Sequence, residues 1–125
     1  MSTDPSFGAV QTARSAAETI RTLGHQLIRA RVGVADVYDI LGELGLLTAR
    51  MPHLLARLQA AFTLAADSGG LVAIDDAGRR HDPTTALVAI GDHLTAAGQA
   101  ALTLTAALDA AHEHAARLAD PGPPH

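Results

Sequence analysis

Apolar residues recur at alternating steps of three and four along most of this chain, and the clearest run lies near its C-terminal end. Leu87, Ile90, Leu94, Ala97, Ala101, Leu104, Leu108, Ala111, Ala115 and Leu118 form an a/d seam held for about five heptads. Asp82-Pro83 opens the stretch and Pro121 closes it. An aspartate before a proline is a helix-start signal, with Asp82 as cap and Pro83 as first helical residue. The pattern predicts one helix from Asp82 to Asp120, about 55 Å long.

The same period appears twice more. Ala13, Ala16, Ile20, Leu23, Leu27 and Ala30 predict a first helix over Phe7–Arg31, with Val10, Ala17 and Gly24 as a small-residue stripe beside the seam. Gly33 is the expected C′ residue, and the short connection predicts an antiparallel second helix. That helix should span Val34 to Asp67, with Val34, Val37, Leu41, Leu44, Thr48, Met51, Leu55, Leu58, Phe62 and Ala65 as its seam. Pro52 falls inside it. An interior proline costs a hydrogen bond and about 3 kcal/mol. The three/four steps nevertheless continue through Pro52 in one phase, which a loop would reset. The expectation is therefore a single helix kinked at Pro52, with a break into two helices as the alternative. Ile40, Leu47, Leu54 and Ala61 widen its apolar face, as suits a helix with two neighbours.

Ser68-Gly69-Gly70 should stop the second helix. The loop that follows carries an Asp75-Asp76-Ala77-Gly78 turn signal and an Arg79-Arg80-His81 tip. Its flanks suit either a small hairpin or an extended loop, with Leu71, Val72 and Ile74 covering the end of the bundle. The fold class expected is all-α: an antiparallel bundle of three long helices, or four if Pro52 breaks the second. Residues 1–6 read as a flexible leader, 7–120 as the bundle with its loop at 68–82, and 121–125 as a disordered tail.

Composition narrows the chemistry. Aromatic residues are 2% of the chain against 48% hydrophobic residues, so alanine and leucine must fill the interior. The net charge of −4 argues against a nucleic-acid protein held by phosphate neutralisation. All nine cations are arginine, which fits a GC-rich coding bias. No cysteine is present, so disulfides, thiolate nucleophiles and cysteine-bound zinc are excluded. No run of about 18 apolar residues suggests a membrane span, and no signal-peptide pattern opens the chain. The expected location is the cytoplasm.

No motif identifies a reaction, and the chain is expected not to be an enzyme. His112-Glu113-His114 places its imidazoles about 200° apart on a helix, too far apart to chelate one ion. A composite cluster of His25, Asp39, Asp109 and His112 is the one arrangement in which a ligand- or metal-binding bundle would be built. No catalytic, metal or cofactor residue is assigned. Asp36, Glu43, Arg50 and Arg57 recur every seven residues on the outer side of the second helix, a solvated face or an ionic stripe for a partner.

The candidate sites are surfaces. Gly91, Gly98 and Thr105 repeat at one heptad position of the last helix and imply a close backbone approach, either to the first helix or to a second chain. Val88 and Leu102 lie off its seam. With Ile40, Leu47 and Leu54 they make the candidate interface of a homo-oligomer, a dimer first, or of a complex with a protein partner. Arg14, Arg21, Arg79 and Arg80 are candidate anion contacts. They would serve a small DNA-associated accessory or regulatory protein, a secondary expectation because stacking aromatics are few.

Val34-x-Asp36-Val37-x-Asp39-x-Leu41 followed by Met51-Pro52-His53-Leu54-Leu55-x-x-Leu58 resembles small uncharacterised helical proteins from GC-rich actinomycetes. The resemblance covers the middle third of the chain. Those proteins often carry a tryptophan after the leucine run, where Phe62 and Thr63 stand here. The resemblance implies an origin and no activity. The leading functional expectation is a non-enzymatic helical interaction or scaffold protein.

Overall fold

The computed structural model describes residues 5–119 and residue 121. Residues 1–4 of the expected leader, residue 120 and residues 122–125 of the expected tail lie outside the described residues, while Pro5 and Ser6, also expected in the leader, open the first helix. Three helices account for most of the chain: α1 (Pro5–Arg29), α2 (Val34–Asp67) and α3 (Thr84–Ala115), with strands β1 (Ala73–Ile74) and β2 (Arg80–His81) between the last two. The protein is all-α apart from this two-stranded antiparallel hairpin.

The short loop before α2 differs from expectation in one detail. Gly33 is not a left-handed C′ residue: it is extended, at φ −80° and ψ 170°, and precedes α2 as its N-cap. Its carbonyl accepts the Val37 amide at 3.1 Å. The helix α2 then runs unbroken through Pro52, so three helices are present and not four. Ser68 ends it, with the Ser68 hydroxyl donating to the Ala65 carbonyl at 2.7 Å and Gly69 turning the chain at φ +75°.

The hairpin pairs Ala73 with His81 and Ile74 with Arg80. Leu71 and Ala73 are half-buried, whereas Val72 and Ile74 point outward, the alternation of a strand. Of the three residues expected to cover the bundle end, only Leu71 is therefore withdrawn from solvent. Asp82 accepts the Thr84 amide on Oδ1 at 2.8 Å at the start of α3. These bonds to Thr84 hold the Asp82 carboxyl below its ordinary value. The helix α3 is shorter than its apolar pattern, ending at Ala115 and closing through tight turns to Leu118.

The best-packed contact is antiparallel, between α2 and α3. Residues meet in a descending register: Gly42 with His112, Gly45 with Asp109, Thr48 with Thr105, Pro52 with Gly98 and Gln59 with Gly91. The covered row of α3 is Leu87, Gly91, Leu94, Gly98, Ala101, Thr105, Leu108, His112 and Ala115, with Ile90 half-buried beside it. The seam is thus rotated from the most hydrophobic phase. Its small residues let the backbones approach, and each larger side chain sits over a glycine opposite. Thr48 and Thr105 hydroxyls lie 2.7 Å apart, and Thr105 reaches the Ala101 carbonyl at 2.8 Å. One hydroxyl carries one proton, so the shorter chain runs from Thr48 to Thr105 to the Ala101 carbonyl.

The core that results is thin. Among the described residues only two apolar ones, Ala101 and Ala115, are buried, and no large side chain is fully enclosed. The helix α1 lies beside α2, where Ile20, Leu23 and Leu27 face Asp36, Asp39 and Ile40 across open space. From Phe7 to Arg29 only Leu23 is even half-buried.

Candidate functional site

The open face of α2 is the most distinctive surface of the molecule. Tyr38, Leu41, Gly45, Thr48, Pro52, Leu55 and Gln59 make the α3-facing row. At about 100° per residue, a second apolar row lies about 100° around the helix: Val37, Ile40, Leu44, Leu47, Met51, Leu54 and Leu58. It has the same period and no helix sealed onto it. Between it and Thr19, Ile20 and Leu23 of α1 lies a groove of about 630 Å³. Leu47 and Leu54 remain 42% and 51% exposed there. Asp39, Glu43 and Arg50 line the rim, so charge borders an apolar floor.

The predicted interface residues divide between two faces. Ile40, Leu47 and Leu54 line the groove. Val88 and Leu102 are 59% and 50% exposed, bordering shallow depressions on one side of the α2–α3 seam. Gly91, Gly98 and Thr105 face α2 of their own chain, and not the first helix against which the small-residue stripe was expected to pack. A glycine row admits whichever backbone comes nearest, and the antiparallel turn back from α2 supplies one. Gly24 of α1, the expected counterpart, has nothing near the place of a Cβ.

Arg14 and Arg21 sit on α1, and Arg79 and Arg80 at the hairpin. Arg21 lies 3.7 Å from Glu18 in an exposed pair. Arg57 donates to His53 at 3.0 Å on the outer face of α2. Among the described residues no three His, Asp or Glu side chains come together as a metal would require. The alternative histidine–carboxylate cluster is not assembled among the described residues: His112 stacks on Tyr38, with ring centroids 3.9 Å apart.

The hairpin is organised by one carboxylate. Asp75 Oδ1 accepts the Ala77 and Arg79 amides, each at 2.9 Å, and Oδ2 lies 2.7 Å from His81 Nε2. The His81 bond, followed by the Arg79 amide, lowers the Asp75 pKa. Gly78 completes the turn at φ +78°. This use of Asp75 is structural.

Sequence reasoning assigned Val37, Leu44, Met51 and Leu58 to the core seam and so missed their place on the open face. The signal available was complementarity of size: Gly42 and Gly45 on α2 stand at the spacing of His112 and Asp109 on α3. Among the described residues no helix is long and apolar enough to cross a membrane. No protein-family model matches the chain, and no curated protein or solved structure matches it.

Proposed function

We propose that the chain is a non-enzymatic helical interaction module that self-associates. The observation that carries the reading is apolar surface left without cover. The accessible surface is 9993 Å², whereas a folded monomer of 12.8 kDa is expected to expose about 6,300 Å². The nine residues outside the description, even wholly exposed, would account for about 1,400 Å² of the difference. Long helices raise surface area, but length alone does not place leucines on it. The remaining excess is about 2,300 Å² per chain, or about 4,600 Å² over two chains, within the about 2,000–5,000 Å² in total that obligate homodimers bury. A chain whose buried apolar residues are two alanines gains its missing core by association.

A cysteine-free chain needs no oxidising compartment, and the reading places the module in the cytoplasm. Light scattering across a concentration series is the test. The expected mass is twice that of the chain, holding on dilution into the micromolar range. A mass of one chain at every concentration would leave the reading without support.

A further inference from the structure

Resting on that reading, we infer that two copies meet through α2, antiparallel, about a twofold axis between Gly45 and Leu46. The open row of α2 has apolar residues at two heptad positions: Val37, Leu44, Met51 and Leu58 at one, Ile40, Leu47 and Leu54 at the other. In an antiparallel pair these positions face each other in layers. Setting Leu44 against Leu47 of the second copy places Met51 against Ile40 and Leu54 against Val37. The twofold generates the same layers in reverse, so all six layers between Val37 and Leu54 are apolar, while Leu58 falls opposite Gly33, beyond the partner helix.

Charge selects this register. Asp36, Glu43, Arg50 and Arg57 form a row flanking the apolar one, acidic in its first half and basic in its second. Among the described residues none of the four has an ion-pair partner, and Glu43 and Arg50 are exposed. In the stated register Glu43 comes beside Arg50 of the second copy, and Asp36 beside Arg57, each twice by symmetry. Sliding one copy by a heptad sets Arg50 beside Arg50. A parallel pairing sets the row beside Leu41, Thr48 and Leu55 of the second copy and leaves the charges unpaired. The row is self-complementary in one arrangement.

The groove shows that α1 does not close this face. The incoming helix seats on Ile40, Leu44, Leu47, Met51 and Leu54 at the groove floor. This seating requires α1, which forms the other wall of the groove through Thr19, Ile20 and Leu23, to move aside.

Two experiments on the full chain test the register. In the first, dissociation is measured for Glu43→Arg, Arg50→Glu and the double variant, with circular dichroism confirming helix content. Each single reversal is expected to weaken the dimer about tenfold at low salt, and the double reversal to restore it. In the second, single cysteines are placed in this cysteine-free chain. A mixture of Val37→Cys and Leu54→Cys chains should cross-link on oxidation. Leu54→Cys alone should not, since its two copies lie about 25 Å apart along the axis. Self-cross-linking of Leu54→Cys, or a dimer indifferent to both reversals, would overturn the register while leaving self-association standing. A wild-type chain that stays monomeric would overturn both.

Discussion

Gly98 and Gly42 hold similar places in the α2–α3 seam but differ in what a methyl group would meet. A Cβ on Gly98 would lie 3.9 Å from Pro52, an ordinary contact. The Gly98→Ala variant should therefore gain the helix-propensity difference, about 0.5–1 kcal/mol. A Cβ on Gly42 would lie 3.3 Å from His112 Nε2 and disturb the stack on Tyr38. Gly42→Ala should forfeit that gain. Urea midpoints of the two variants, compared at constant slope, check the contrast. Asp75 makes a second prediction at this scale. Its folded pKa is lowered, chiefly by His81 and then by the Arg79 amide. The support it lends the hairpin is complete above the ordinary aspartate range and is lost as pH falls below that range through the lowered value. Amide exchange at Arg79 should stay slow from neutral pH down to about 5 relative to Asp75→Ala, with the difference vanishing in stronger acid.

Among the elements, α2 shows what was legible in the residues and what was not. The period of three and four was legible, and its persistence through Pro52 correctly indicated one helix. The phase was not. Hydropathy favours Leu44 and Met51 over Gly45 and Pro52 for the inner row, but packing favours the row that lets two backbones come close. The same substitution of rows occurred on α3, where Gly98, Thr105 and His112 took the place assigned to Ala97, Leu104 and Ala111, and Gly91 joined the half-buried Ile90. Apolar pattern reports how many faces a helix has, and shape decides which neighbour takes which. The Asp75–Gly78 turn, by contrast, was legible because its chemistry is local. Pro52 also gives the prediction for this scale. Replacing it restores an amide donor for the Thr48 carbonyl inside a continuous helix, and its ring contact with Gly98 is slight. Pro52→Ala should raise stability by about 1–3 kcal/mol in equilibrium unfolding.

At the scale of the molecule, one well-fitted helix pair carries a third helix that it hardly buries. The second apolar row of α2 and the seam of α1 are complete in period and unfinished in contact, with a charge row beside them that complements itself under a twofold. That combination accounts for the large exposed surface without invoking a ligand. Ile40, Leu47 and Leu54 lie on that open row, whereas Gly91, Gly98 and Thr105 pack in the chain's own seam. Leu47 lies near the middle of the open row, and it is the residue through which the account is most exposed to test. Sedimentation equilibrium of the wild-type chain beside Leu47→Glu, both checked for helix content, addresses it directly. The wild type should sediment at twice the chain mass and Leu47→Glu at the mass of one chain with helix retained. A monomeric wild type, or a Leu47→Glu variant that remains a dimer of unchanged affinity, would contradict it.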